Sequence, residues 1–98
     1  MIAIRVSGGF TSHTKQIVPI AAERVFANEA VTSVAIENQM DGRGAKLTVV
    51  TEDGKEYVTW FSFTDIALNA YRQLECWEGL IRKAWEKQKS KDSLSAHA

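Results

Sequence analysis

The chain has 98 residues, 45% of them hydrophobic, and its 12 basic and 12 acidic side chains cancel. That length sets one domain, the apolar content is too high for a disordered chain, and the absence of net positive charge counts against a general nucleic-acid binder, leaving room only for a local patch. The single cysteine, Cys76, excludes an internal disulfide and suits a reducing, cytoplasmic setting. Neither a signal peptide nor a membrane span is expected, because no basic leader and no long apolar run are visible.

In chain order, Ile2, Ile4 and Val6 alternate with Ala3, Arg5 and Ser7, which predicts a strand. Gly8-Gly9 ends it, and residues 10–15 read as a polar loop. Residues 16–30 admit two readings. Pro19 suits the first turn of a helix whose composition runs from Ile20 to Ala27, with a stop at Asn28. The rival is a strand over Gln16, Ile17 and Val18 with Pro19 at an edge or bulge.

Residues 31–37 read as a strand with Val34 and Ile36 on one face, residues 38–44 as a flexible loop, and residues 46–52 as the next strand. Asp53-Gly54 is the strongest local signal, and a two-residue hairpin turn there asks for positive φ at both positions. That turn sets Glu52 opposite Lys55, Val50 opposite Tyr57, Val49 opposite Val58 and Leu47 opposite Trp60. Leu47, Val49, Val58 and Trp60 then form an apolar face for the core, and Lys46, Thr48, Val50, Tyr57, Thr59 and Phe61 a mixed one.

Residues 64–89 predict one long amphipathic helix capped by Thr64. Ile66, Ala70, Leu74, Trp77, Ile81 and Ala84 fall on one stripe, and Asp65, Arg72, Glu75, Arg82, Lys83 and Glu86 opposite. Leu68 is the misfit, alone on the polar side. Glu78 and Arg82 form a favourable i,i+4 pair. Residues 90–98 read as a flexible polar tail after a domain of residues 1–89. The expected fold is α+β: strand, helix, three-stranded antiparallel meander, long C-terminal helix (β-α-β-β-β-α), with the helices on one sheet face. A helix of roughly 26 residues is about 39 Å long, against a radius of gyration of about 13 Å for such a domain. Trp85 and Ile81 are therefore candidates for an overhanging apolar stripe that a second copy covers in a homodimer.

No catalytic site, cofactor site or metal site is read from the chain. His13 and Cys76 have nothing to bring them together, and two isolated histidines and one cysteine do not make a ligand set. Ser7-Gly8-Gly9 and the glycine-flanked Arg43 lack the residues of a phosphate loop. Arg43 can still reach a phosphate or carboxylate on a partner. Candidate contact residues are Arg43, the mixed-face trio Lys46, Tyr57 and Phe61, and the helix's charged side with Leu68, Arg72, Glu75, Arg82 and Lys83.

The expected function is a non-enzymatic accessory protein acting through protein–protein contacts. In size and composition the chain resembles small phage-encoded inhibitors of host machinery, anti-CRISPR proteins among them, a likeness of proportion that no residue motif carries. The competing expectation is a single-stranded nucleic-acid binder that stacks bases on Tyr57 and Phe61 beside Lys46.

Overall fold

A computed structural model describes residues 2–10, 12–39, 44–62 and 73–97. The elements run β1 (Ala3–Ser7), α1 (Ser12–Phe26), β2 (Val31–Gln39), β3 (Gly44–Thr51), β4 (Glu56–Ser62) and α2 (Leu74–His97). The expected α+β order holds. The four strands form one mixed sheet in the order β1-β2-β3-β4, with β1 parallel to β2 through the α1 crossover and the other two pairings antiparallel.

Alternation builds the core. On β2, Val34 and Ile36 are buried, and on β3 so are Ala45, Leu47 and Val49. Both helices pack on that face. Residues 14, 18, 21, 22 and 25 of α1 form a buried helical stripe, and α2 contributes Trp77, Ile81, Ala84 and Trp85. Trp77 sits between the rings of Phe10 (5.7 Å) and Phe61 (6.5 Å), and Trp85 between those of Phe26 (5.5 Å) and Tyr57 (5.6 Å).

Four expectations are corrected. First, residues 16–30 hold the helix rather than the strand, but the helix starts at Ser12, inside the predicted loop, so Pro19 lies in its interior. Pro19 cannot donate to the Lys15 carbonyl. The buried stripe runs on both sides of it, and that burial outweighs one missing backbone bond. Second, β2 continues through Asn38 and Gln39, which pair with Ala45 and Gly44.

Third, the hairpin is one residue out of the predicted register. Val50 pairs with Glu56, Val49 with Tyr57, Leu47 with Thr59 and Lys46 with Trp60. The Thr51 N–H donates to the Lys55 carbonyl (2.9 Å) and the Gly54 N–H to the Thr51 carbonyl (3.0 Å), with φ of +87° at Gly54. That is a three-residue turn closed by a left-handed glycine, not the two-residue form. A one-residue slip turns a strand over. Tyr57, Thr59 and Phe61 therefore face the helices, while Val58 and Trp60 face outward. Glu52 does not oppose Lys55; its N–H donates to the Ala30 carbonyl at 3.0 Å.

Fourth, Gln73 is not helical and α2 begins at Leu74, so no single helix spans residues 64–89. The Cys76 N–H donates to the Gln73 carbonyl at 3.2 Å and Glu75 sits in the first turn, where the helix dipole favours an anion. With this start Trp85 lies near the middle of α2 and is 4% exposed, and Ile81 is fully buried. Neither overhangs the sheet. The Thr64 cap falls outside the described residues, and α2 remains helical past Lys89 to His97.

Among the described residues, two glycines carry a conformational requirement. Gly8 has φ of +96°, and a Cβ there would meet the Asn38 carbonyl oxygen at 2.6 Å; Gly54 has open space around it. Gly54→Ala is expected to cost about 1 kcal/mol from the left-handed backbone alone. Gly8→Ala should cost more, since the β1–α1 turn must also move off β2. Urea unfolding of both variants checks the order, and equal losses would contradict it.

Candidate binding surface

The helices cover one sheet face and leave the other bare of described elements. Registers place its residues in cross-strand rows. One row is Arg5, Ala35, Thr48 and Val58; the next is Ser7, Glu37, Lys46 and Trp60; on the other side lie Ala3, Ser33, Val50 and Glu56. Trp60 is 60% exposed and Val58 39%, both among the few large hydrophobics of the described residues left open to solvent. An indole this open on a strand whose neighbours are Lys46 and Val58 is the most distinctive surface feature of the described residues. The charged residues of the face, Arg5 and Lys46 against Glu37 and Glu56, balance.

The sequence-predicted site residues are dispersed. Lys46 is half-buried on the open face beside Trp60, while Tyr57 and Phe61 lie on the inner face against Trp85 and Trp77. The predicted Lys46, Tyr57 and Phe61 cluster is therefore split, because the register slip turned β4 over. Glu75, Arg82 and Lys83 are exposed on α2. Arg82 pairs with Glu78 at 3.0 Å, as the i,i+4 spacing predicts, and Glu78 also meets Arg24 of α1 at 3.6 Å, tying the helices together. Exposed pairs of this kind are worth a few tenths of a kcal/mol. Arg43, Leu68 and Arg72 lie outside the described residues.

Sequence reasoning missed Trp60 and Val58 as surface residues. A signal was present: Tyr57 and Phe61 are four residues apart on a strand, about 13 Å, and Trp77 and Trp85 eight apart on a helix, about 12 Å. Two aromatic pairs that match in length belong on one interface.

A cleft of about 600 Å³ lies where the hairpin turn meets α2 and is lined by Glu29, Asp53, Tyr57, Trp85 and Lys89 among others. The Glu29 carboxylate accepts from the Trp85 indole N–H (3.0 Å) and the Lys89 ammonium (2.8 Å), and that ammonium lies 5.8 Å from the Trp85 ring centroid. The hydrogen bond from Lys89 is the main cause that holds the Glu29 carboxyl below the ordinary glutamate range, against an opposing effect of partial burial. Asp53 is likewise lowered, chiefly by the Thr51 hydroxyl that donates to it.

Among the described residues no group of three His, Cys, Asp or Glu side chains is placed to hold a metal ion. Cys76 is a half-buried free thiol in the first turn of α2, and His13 is exposed in the first turn of α1. No described helix is long and apolar enough to cross a membrane. No protein-family model matches the chain, and no curated protein matches its sequence.

The unfolded chain binds the Glu29 proton more readily than the folded one. The stability Glu29 contributes is thus complete above its unfolded value, in the ordinary glutamate range, and lost as pH falls through the lower folded value. Glu29→Gln is expected to cost about 1 kcal/mol at neutral pH, a charged hydrogen bond discounted for solvent screening. It should also flatten the acid limb of stability against pH. An acid limb identical to that of the wild type would contradict the role given to Glu29.

Proposed function

We propose that this protein is a non-enzymatic protein-binding module that covers a functional surface of its partner, as small phage-encoded inhibitors of host complexes do. One observation carries the reading: Trp60 stands 60% exposed on a sheet face that no described element covers. Tryptophan is the residue type most enriched among binding hot spots, where an apolar ring is buried at little entropic cost inside a rim of polar groups. Val58 extends the apolar centre along the strand, and Arg5, Lys46, Glu37 and Glu56 supply a rim of both signs. A balanced rim suits a protein surface better than a polyanion, which would favour one sign throughout. The half-buried free thiol of Cys76 fits action in the cytoplasm.

The alternative, single-stranded nucleic-acid binding, keeps one observation in its favour. Lys46 is the direct cross-strand neighbour of Trp60, so one base could stack on the indole with a phosphate near the ammonium. It loses Tyr57 and Phe61 as stacking rings.

Co-purification from cells of the native host, followed by affinity measurement on the purified partner, tests the reading. Trp60→Ala should weaken binding about 30-fold or more, the scale of a hot spot, with little change in melting temperature. Full binding by Trp60→Ala would contradict it. Gel shift of short oligonucleotides that fades steeply with salt and with Trp60→Ala would favour the alternative instead.

A further inference from the structure

β4 ends the described sheet, and no described element covers its outer edge. Open edges are normally blunted by short length, a central charge, proline or a bulge. β1, the opposite edge, has five residues with Arg5 at its centre. β4 has seven, Glu-Tyr-Val-Thr-Trp-Phe-Ser, without lysine or proline, and pairs with β3 without a bulge. The Thr51–Lys55 bond fixes which residues spend their backbone groups on β3. Bonded and non-bonded pairs alternate along an antiparallel ladder, so Tyr57, Thr59 and Phe61 bond inward. Glu56, Val58 and Trp60 direct N–H and C=O groups off the edge. The residues with outward backbone are thus those with side chains on the open face.

We infer that β4 pairs antiparallel with β4 of a second copy about a two-fold axis through Val58, joining two four-stranded sheets into one. Charge selects this occupant and this register. The axis sets Val58 against its own copy and Trp60 against Glu56 of the second copy. Lys46 flanks Trp60 on the other side, so the row reads Glu37, Lys46, Trp60, then Glu56 of the second copy, with signs alternating across the indole. Lys46 and that Glu56 are two strand spacings of about 4.8 Å apart, a gap their side chains span over the ring. Symmetry repeats the contact. Sliding the axis by one residue along β4 sets Glu56 against Ser62 and discards both charge contacts. The pairing rests on the strand edge and its charges, and not on what the Trp60 ring binds.

Light scattering on the full chain across a concentration series should give a dimer. Val58→Pro removes an N–H that β3 does not use, so it should yield a folded monomer, as judged by circular dichroism. The charge reversals are independent of proline. Lys46→Glu and Glu56→Lys should each weaken self-association about tenfold, two cross-strand contacts turning repulsive together. Mixed, they should form heterodimers in preference to either homodimer, because both contacts become attractive again; native mass spectrometry reads this directly. A wild-type chain that stays monomeric at every concentration would overturn the inference. So would a dimer indifferent to the charge reversals.

Discussion

Two tryptophans on one helix clamp this fold together. Trp77 holds Phe10 and Phe61, and Trp85 holds Phe26 and Tyr57, so each ring joins the α1 side of the core to the edge strand β4. Ring pairs at these separations contribute about 0.5–1.5 kcal/mol each beyond the burial of their area. The geometry matters more than the sum. Eight helical residues and four strand residues cover nearly the same length, so α2 meets β4 at two points, and only one face of β4 presents aromatics at that spacing. The clamp therefore decides which way β4 faces.

Everything on the open side follows from that decision. With Tyr57 and Phe61 drawn inward, Val58 and Trp60 have nowhere to go but the outer face, and their backbone groups point off the sheet edge. An exposed indole, a mixed-sign rim and outward backbone groups at Val58 and Trp60 are thus consequences of one packing arrangement. The Glu29, Lys89 and Trp85 group adds a polar latch at one end, where the indole N–H of a clamp residue is satisfied by a carboxylate from the turn after α1. That bond fixes the ring's rotation as well as its position.

Element order, the helices on one side of the sheet and most of the buried residues were legible in the sequence, because period-two and period-3.6 patterns report burial directly. Ile36, Leu47, Val49, Trp77 and Ile81 are where alternation and helical spacing put them. The misreadings came from places where a local rule had two solutions. Asp53-Gly54 serves a two-residue turn and a three-residue turn equally well, and the choice between them reverses β4. The two-residue register puts Trp60 opposite Leu47 on the core face, yet the clamp uses its neighbours instead. Pro19 fits a first helical turn, but the stripe from Thr14 to Val25 extends the helix around it. The start of α2 at Leu74 has no glycine or proline beside it to mark it in the sequence. In each case a tertiary contact decided between local options of similar energy, and such contacts are not written in any one segment.

Tryptophan accessibility tests the clamp most directly. Iodide quenching of the wild type should resolve an accessible, red-shifted emitter beside shielded ones. Trp60→Phe should remove the accessible component and leave a blue, weakly quenched spectrum from Trp77 and Trp85. If Trp60→Phe leaves the quenchable fraction intact, the accessible ring belongs to α2, and the inward placement of Tyr57 and Phe61 is wrong.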